Sequence, residues 1–392
     1  MNAKNRPSLG EKKKIVTVIR HPTGGERTYL KYTYKRLDRN KYHFIVLTIR
    51  AEEIGQLKQD LKELSSEFVE MEKFNLSFFY RLFRMLFKRE AHLIHSQGYA
   101  CGVLSSFLNL FFRVPHVITF HGTFDSQAFR GRFAFIRKKI IQFLLSRADY
   151  INVVSEDAKA NLIEYFPGMR RHLPKIVVIE NGIDVGFFRE ELKGQKKLSE
   201  IKGIDEDSFV IGYLGRYMPE KGFPVLIDAI ERLAKTPAPI KNLKVLALGW
   251  GSFIREYQAL IKEKGLADHF VFIEFQPDVR WILRQIDVLV IPSLREAFGL
   301  VALEGLVSGT PIIASDCVGL REVLRGTPAR MVKAGDPKDL ANAILDMRAN
   351  PERERFIRFI PEVVKRFDVG VTAEKLDVLF QRAGQKQGET AG

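Results

Sequence analysis

The sequence is poor in cysteine, with two in 392 residues. Cys101 and Cys317 lie in different halves, which excludes a disulfide scaffold or a structural zinc site and fits a reducing compartment. Residues 1–14 are polar and basic, with no apolar stretch, so no secretory signal is expected. The one long run without Asp, Glu, Lys or Arg is 91–112. It could span a bilayer by length. His92, His95, Gln97, Gly98 and Asn109 interrupt it, so a buried strand followed by a core helix is expected and no transmembrane segment. Full dinucleotide or phosphate-loop fingerprints are also missing.

Acidic charge is scarce in one half. Residues 1–190 hold 32 Lys and Arg against 19 Asp and Glu, a balance of +13, whereas the rest holds 30 against 28. A basic half joined to a near-neutral half implies an anionic partner for the first. Much of this charge surrounds residues 73–89. There Phe79, Leu82, Phe83, Leu86 and Phe87 share one helical face, with Lys73, Arg81, Arg84 and Lys88 opposite. A basic amphipathic helix reads as a membrane-surface element, or as a core helix with a solvated face.

The chain alternates strand-like and helix-like segments, the pattern of parallel sheets. The expected strands are 15–19, 44–49, 92–95, 116–120, 150–154 and 176–179, then 209–214, 244–248, 270–275, 287–291 and 311–314. Helices are expected over 26–38, 299–308, 336–347 and 351–367, with a last helix over 368–382 and disorder from 383. Length favours two domains. These are placed at 1–190, joined by the returning helix from about 368, and at 191–367, with a charged linker over 185–208.

Residues 292–304 read Pro-Ser-Leu-Arg-Glu-Ala-Phe-Gly-Leu-Val-Ala-Leu-Glu. A β-branched strand ends at Pro292, and an apolar helix begins at Gly299. Glu304 sits in that helix, where a carboxylate needs a partner. Glu296 and the free N–H groups around Ala297–Leu300 lie at the helix start, which suits an anion or a hydroxyl-rich ligand. After the strand 209–214 comes Gly215-Arg216-Tyr217-Met218-Pro219-Glu220-Lys221-Gly222. Arg216 offers a bidentate fork and Lys221 a point charge, as a pyrophosphate requires. His121-Gly122 ends the strand 116–120, where open α/β sheets contact ligands. Gly24 and Gly25 follow the first strand and permit close backbone approach, or simply a tight turn. Asn181-Gly182-Ile183-Asp184 is a turn signal. Asp205-Glu206-Asp207 matches an Asp-x-Asp metal string but precedes a strand, so it reads as chance.

The Glu pair enclosing Phe-Gly after Pro-Ser, with the Gly215–Gly222 pattern, resembles family 4 of the retaining glycosyltransferases. The resemblance covers most of residues 13–370. It implies the GT-B architecture: two facing Rossmann-like α/β domains with a cleft between them, the first for acceptor and the second for donor. It implies a hexosyltransferase that moves a sugar from a UDP- or GDP-sugar with retention, without metal or other cofactor. Arg216, Lys221, Gly25, Gly299 and Leu300 would border the diphosphate. Glu296, Ala297, Phe298 and Gly299 would hold the donor sugar, and Glu304 the ribose. His121 would contact the sugar, so His121 and Glu296 are the expected catalytic pair. Gly24, Gly25 and Asp125 would serve the acceptor side. The stretch 275–278 departs from the family pattern, which leaves the base open.

With the basic half, this gives an expected cytoplasmic enzyme, peripheral on the inner face of the cytoplasmic membrane, that extends a lipid-linked or cell-envelope glycan. The alternatives are a nucleotide-sugar epimerase or phosphorylase of the same fold. A basic nucleic-acid binder is more distant, because no recognised motif supports it, and no nucleic-acid partner is expected.

Overall fold

The structure, a computed structural model, describes residues 12–51, 54–124, 129, 131–192, 194, 196–237, 239–274 and 276–389, with side chains to 385. Asp125, Phe275 and the first eleven residues lie outside the described residues.

Two compact units form: 1–182 with 369–392, and 183–368. In the first unit the strands are β1 (Lys13–Val18), β2 (Tyr42–Ile49), β3 (Ser66–Met71), β4 (Leu93–Gln97), β5 (His116–Phe120), β6 (Tyr150–Val153) and β7 (Ile176–Val178). Its helices are α1 (Gly24–Lys35), α2 (Ile54–Asp60), α3 (Leu76–Phe87), α4 (Gly98–Asn109), α5 (Ala134–Ser146) and α6 (Glu156–Tyr165). In the second unit, α7 (Val185–Arg189) precedes β8 (Phe209–Leu214), α8 (Phe223–Ala234), β9 (Leu243–Leu248), α9 (Ile254–Glu263) and β10 (Phe270–Ile273). Then come α10 (Arg280–Leu283), β11 (Val288–Ile291), α11 (Leu300–Val307), β12 (Ile312–Ser315), α12 (Leu320–Val323), β13 (Arg330–Val332), α13 (Pro337–Ala349) and α14 (Arg353–Phe367). The last helix, α15 (Val369–Glu389), returns to the first unit.

Both sheets are parallel, in the orders β3-β2-β1-β4-β5-β6-β7 and β10-β9-β8-β11-β12-β13. The first strand of each unit lies inside its sheet, and the chain fills one side before crossing to the other. That is the doubly wound Rossmann arrangement, as expected, with a switch point between β1 and β4 and another between β8 and β11. Strands sandwiched by helices are apolar on both faces. In the first sheet Ile15, Phe44 and Leu93 pack against α1 and α15, while Val16, Ile45 and Ile94 pack against α3 and α4.

Three expectations need correction. The crossing falls at 182/183 rather than 190. Residues 183–190 belong to the second unit because the carbonyl of Phe187 accepts from Arg280 and that of Phe188 from Arg284. Asn181-Gly182 is more than a turn, since a Cβ on Gly182 would collide with the backbone of Val369, the first residue of α15. Order also continues past 383, with α15 helical to Glu389; Leu376, Leu379, Phe380 and Ala383 are buried against the first sheet. The run 91–112 resolves as the wholly buried β4 and then α4, and among the described residues no helix is long and apolar enough to cross a membrane.

Candidate functional site

In the second unit the charged groups gather at the switch point. Arg216 and Lys221 come after β8, and Glu296 comes after β11, its neighbour in the sheet. Lys221 Nζ forms an ion pair with Glu296 Oε1, and Ser293 Oγ donates to the same oxygen at 3.2 Å. Both side chains are about four-fifths buried (21% and 15% exposed), so neither charge would be tolerated alone. Arg216 lies 3.8 Å from Glu220 and keeps its guanidinium partly in solvent. Backbone bonds tie the two loops, with Leu294 N donating to Glu220 O at 2.9 Å.

Glycine makes this packing possible. Gly222 has φ +68°, and a Cβ there would strike the carbonyl oxygen of Pro292. Gly319 has φ +87°, and its Cβ would stand 2.7 Å from Glu296 O. The loops after β8, β11 and β12 thus touch backbone to backbone, and Ser315 Oγ also donates to Ser293 O.

α11 begins at Leu300, behind Gly299, so its first N–H groups have no partner within the helix. Ala297 and Phe298 are buried, and the Phe298 ring packs edge-on against Phe367 at 6.1 Å. Only the backbone of Phe298 is therefore free to serve a ligand. Although the helix is apolar, it is not buried all round. Leu300, Val301 and Glu304 are half-exposed, and Leu300 and Glu304, four residues apart, share a face at the helix start. Asp205-Glu206-Asp207 forms an exposed turn, with Asp207 accepting from Asn242 at 2.7 Å. Among the described residues no three His, Cys, Asp or Glu cluster as metal ligands.

In the first unit Gly24 and Gly25 form the exposed first turn of α1 rather than a loop before it. His121 lies just beyond β5, half-buried, with its ring 4.6 Å from that of Tyr29. Its Nε2–H donates to Gln97 Oε1 at 2.7 Å, which leaves Nδ1 as the acceptor. Enclosure pushes its pKa down to about 3, so the ring is neutral at ordinary pH. Behind it, Gln97 Nε2 reaches His95 at 3.1 Å, and His95 bonds Tyr34 OH at 2.7 Å and Thr119 Oγ1 at 2.8 Å. Gln97 was not singled out from sequence. Its signal was present, because Gln97-Gly98 ends β4 as His121-Gly122 ends β5. Both cysteines are buried, which pushes Cys101 up to about 12 and Cys317 up to about 11, so neither is a nucleophile.

Residues 23–187 match the family described as Glycosyltransferase Family 4, and residues 194–362 match Glycosyl transferases group 1. The D-inositol 3-phosphate glycosyltransferase of Corynebacterium kroppenstedtii is 30% identical over 75% of this chain and 68% of its own. The phosphatidyl-myo-inositol mannosyltransferase of Mycobacterium leprae is 32% identical over 52% of this chain and 53% of its own. The crystal structure of Anabaena HepE in complex with UDP-glucose shares the fold, with a TM-score of 0.79 at 21% identity over 94% of this chain and 99% of that one. Two Rossmann-like units, each matched by its own half of one enzyme family, leave a single assignment: the chain belongs to family 4 of the glycosyltransferases.

Proposed function

We propose that the protein transfers a hexose from a UDP- or GDP-sugar to a lipid-linked or cell-envelope glycan acceptor at an anionic membrane, with retention and without metal. The observation that carries this reading is the buried Lys221–Glu296 pair at the β8/β11 switch point, with Arg216 and the start of α11 beside it.

With no ligand, Lys221 and Glu296 neutralise each other. A diphosphate draws the ammonium away, and the freed carboxylate accepts hydrogen bonds from the hydroxyls of the donor sugar. As the bond from C1 to the diphosphate breaks, negative charge grows on the leaving oxygen. Arg216, Lys221 and the N–H groups of Gly299 and Leu300 stabilise it without reorganising. The acceptor oxygen bonds to C1 on the face the diphosphate leaves, and its proton passes to the departing phosphate. Glu304 is read as the ribose ligand. Neutral His121, held by Gln97, accepts a sugar hydroxyl at Nδ1, and Gly24 and Gly25 border the acceptor. The phosphatidyl-myo-inositol mannosyltransferase of Mycobacterium leprae supports a lipid acceptor, and the UDP-glucose complex of HepE supports a uridine donor.

The test is thermal stabilisation by UDP, GDP, ADP and CMP, with and without Mg²⁺, on the wild type and on Glu304→Ala. At ~100 times its dissociation constant a ligand adds ~2.7 kcal/mol. One nucleotide should stabilise the wild type without metal and the variant less. No response to any nucleotide at saturating concentration would overturn the reading. Release of nucleoside diphosphate only when an acceptor alcohol is added would argue against the epimerase and phosphorylase readings.

A further inference from the structure

α3, α4 and α5 are neighbours on one face of the first sheet. Each buries one stripe and exposes a second apolar one. On α3, Phe78, Leu82, Met85 and Leu86 are buried, while Leu76, Tyr80, Phe83 and Phe87 point to solvent at spacings of four, three and four, one line along a helix. The expected basic amphipathic helix is therefore real, but its apolar side is divided between core and surface. On α4 and just beyond it, Tyr99, Phe107 and Phe111, eight and four residues apart, are exposed on one side.

α5 is the extreme case. Its sequence, Ala-Phe-Ile-Arg-Lys-Lys-Ile-Ile-Gln-Phe-Leu-Leu-Ser, holds seven large apolar side chains, and only Leu144 and Leu145 are buried. Phe135 is 71% exposed, and Ile136, Ile140 and Phe143 more than half. Three successive cations interrupt them, with Lys139 5.4 Å from the Phe135 ring.

An apolar area of this extent on a folded unit marks an interaction surface. Charge identifies what covers it. Residues 73–147 carry twelve Lys and Arg against two Asp and Glu, most of the +13 excess of the first half. A second copy of the chain would bring the same positive charge to the same face. A nucleic acid would leave the aliphatic groups Leu76, Ile136 and Ile140 without a partner. A surface that is apolar inside and anionic at its rim satisfies both features.

We infer that the outer faces of α3, α4 and α5 form a docking surface for an anionic lipid bilayer, the aromatic and aliphatic side chains entering the interface and the cations meeting the headgroups. This deepens the proposed membrane-borne acceptor and rests on that reading for its purpose, but the observations behind it lie wholly in the first unit. It also moves the centre of the contact from α3 alone to all three helices.

The test is co-sedimentation of the full chain with vesicles of phosphatidylcholine, pure or mixed with phosphatidylglycerol, with no nucleotide present. The wild type should bind the mixed vesicles, bind the pure ones far less, and release as salt rises. Arg137→Gln/Lys138→Gln/Lys139→Gln should weaken binding on the order of a hundredfold, since each cation near the surface contributes about fivefold. Phe87→Ser/Phe111→Ser/Phe135→Ser should weaken it at least about tenfold. All six positions are at or near the surface, and circular dichroism checks that both variants fold. No binding to mixed vesicles at low salt would overturn the inference, as would an aromatic variant that binds like the wild type. Self-association through this face, or oligonucleotide binding in place of vesicle binding, would overturn it too. Failure here leaves nucleotide stabilisation untouched, so the two proposals fail separately.

Discussion

The two units share a strand order and handle charge in opposite ways. In the second, an acid and a cation are paired at the end of the sheet, as Lys221 and Glu296 show. In the first, histidines within the sheet and just beyond it are held uncharged. His95 and His116 are fully buried, and burial lowers the pKa of both, as it does for His121. The first unit instead carries its charge outside, on α3 and α5. One fold can thus offer a charged pocket for a diphosphate or a neutral hydrogen-bonding pocket, depending on the loops that leave the strand ends.

The sharpest break between the units is expected from Phe380→Ala. Phe380 comes from the end of the chain yet packs against Tyr42 and His95 of the first sheet. Its loss should cost ~3–5 kcal/mol. Hydrogen exchange should show β1, β2 and β4 losing protection while β8 and β11 keep theirs. Equal loss in both sheets would mean that the units do not fold separately.

Lys221→Ala should do the reverse. It leaves Glu296 unpaired and removes a stabilising charge, so kcat/KM should fall roughly 10²–10³-fold, with little change in exchange from the first sheet. Steady-state transfer assays check this.

Acid should separate the units next. A histidine whose folded pKa lies below its unfolded value takes up protons more readily when unfolded. Stability is then full above about 6.5 and is lost as pH falls toward about 3 for His116. That single residue should cost about 1.4 kcal/mol per pH unit within the window. His95 and His121 act in the same direction. The second unit has only His269, so exchange measured between pH 7 and 5 (about the upper part of that window) should weaken the first unit alone. The smallest effect is expected at Ser155, which caps α6 by accepting from Ala158 N at 3.0 Å. Ser155→Ala should cost ~1 kcal/mol, read as a small shift of the first unit's thermal transition.

Much of this was legible in the residues. All eleven expected strands coincide with β-strands to within two residues at each end, because both-faced burial leaves long β-branched runs. The two strands that went unread, β3 and β13, are sheet edges. Apart from Val332 their residues are partly buried or exposed, so they carry little apolar signal. Past 383 the helix continues with exposed polar or small residues at Gly384 and Gln385, so no apolar spacing marks its continuation.

Local pattern was enough to specify two α/β units with parallel sheets, the strand ends that carry Arg216, Lys221, Glu296 and His121, and an uneven spread of charge. Periodicity and spacing encode all of these within short stretches of chain. Packing in three dimensions was needed to pair Lys221 with Glu296 across 75 residues, to fix the His121 tautomer through Gln97, and to leave most of the apolar side chains of α5 in water. The reason is physical. Which groups meet, and which faces stay uncovered, depends on strand order and on close backbone approach at Gly222 and Gly319, neither of which any local pattern encodes.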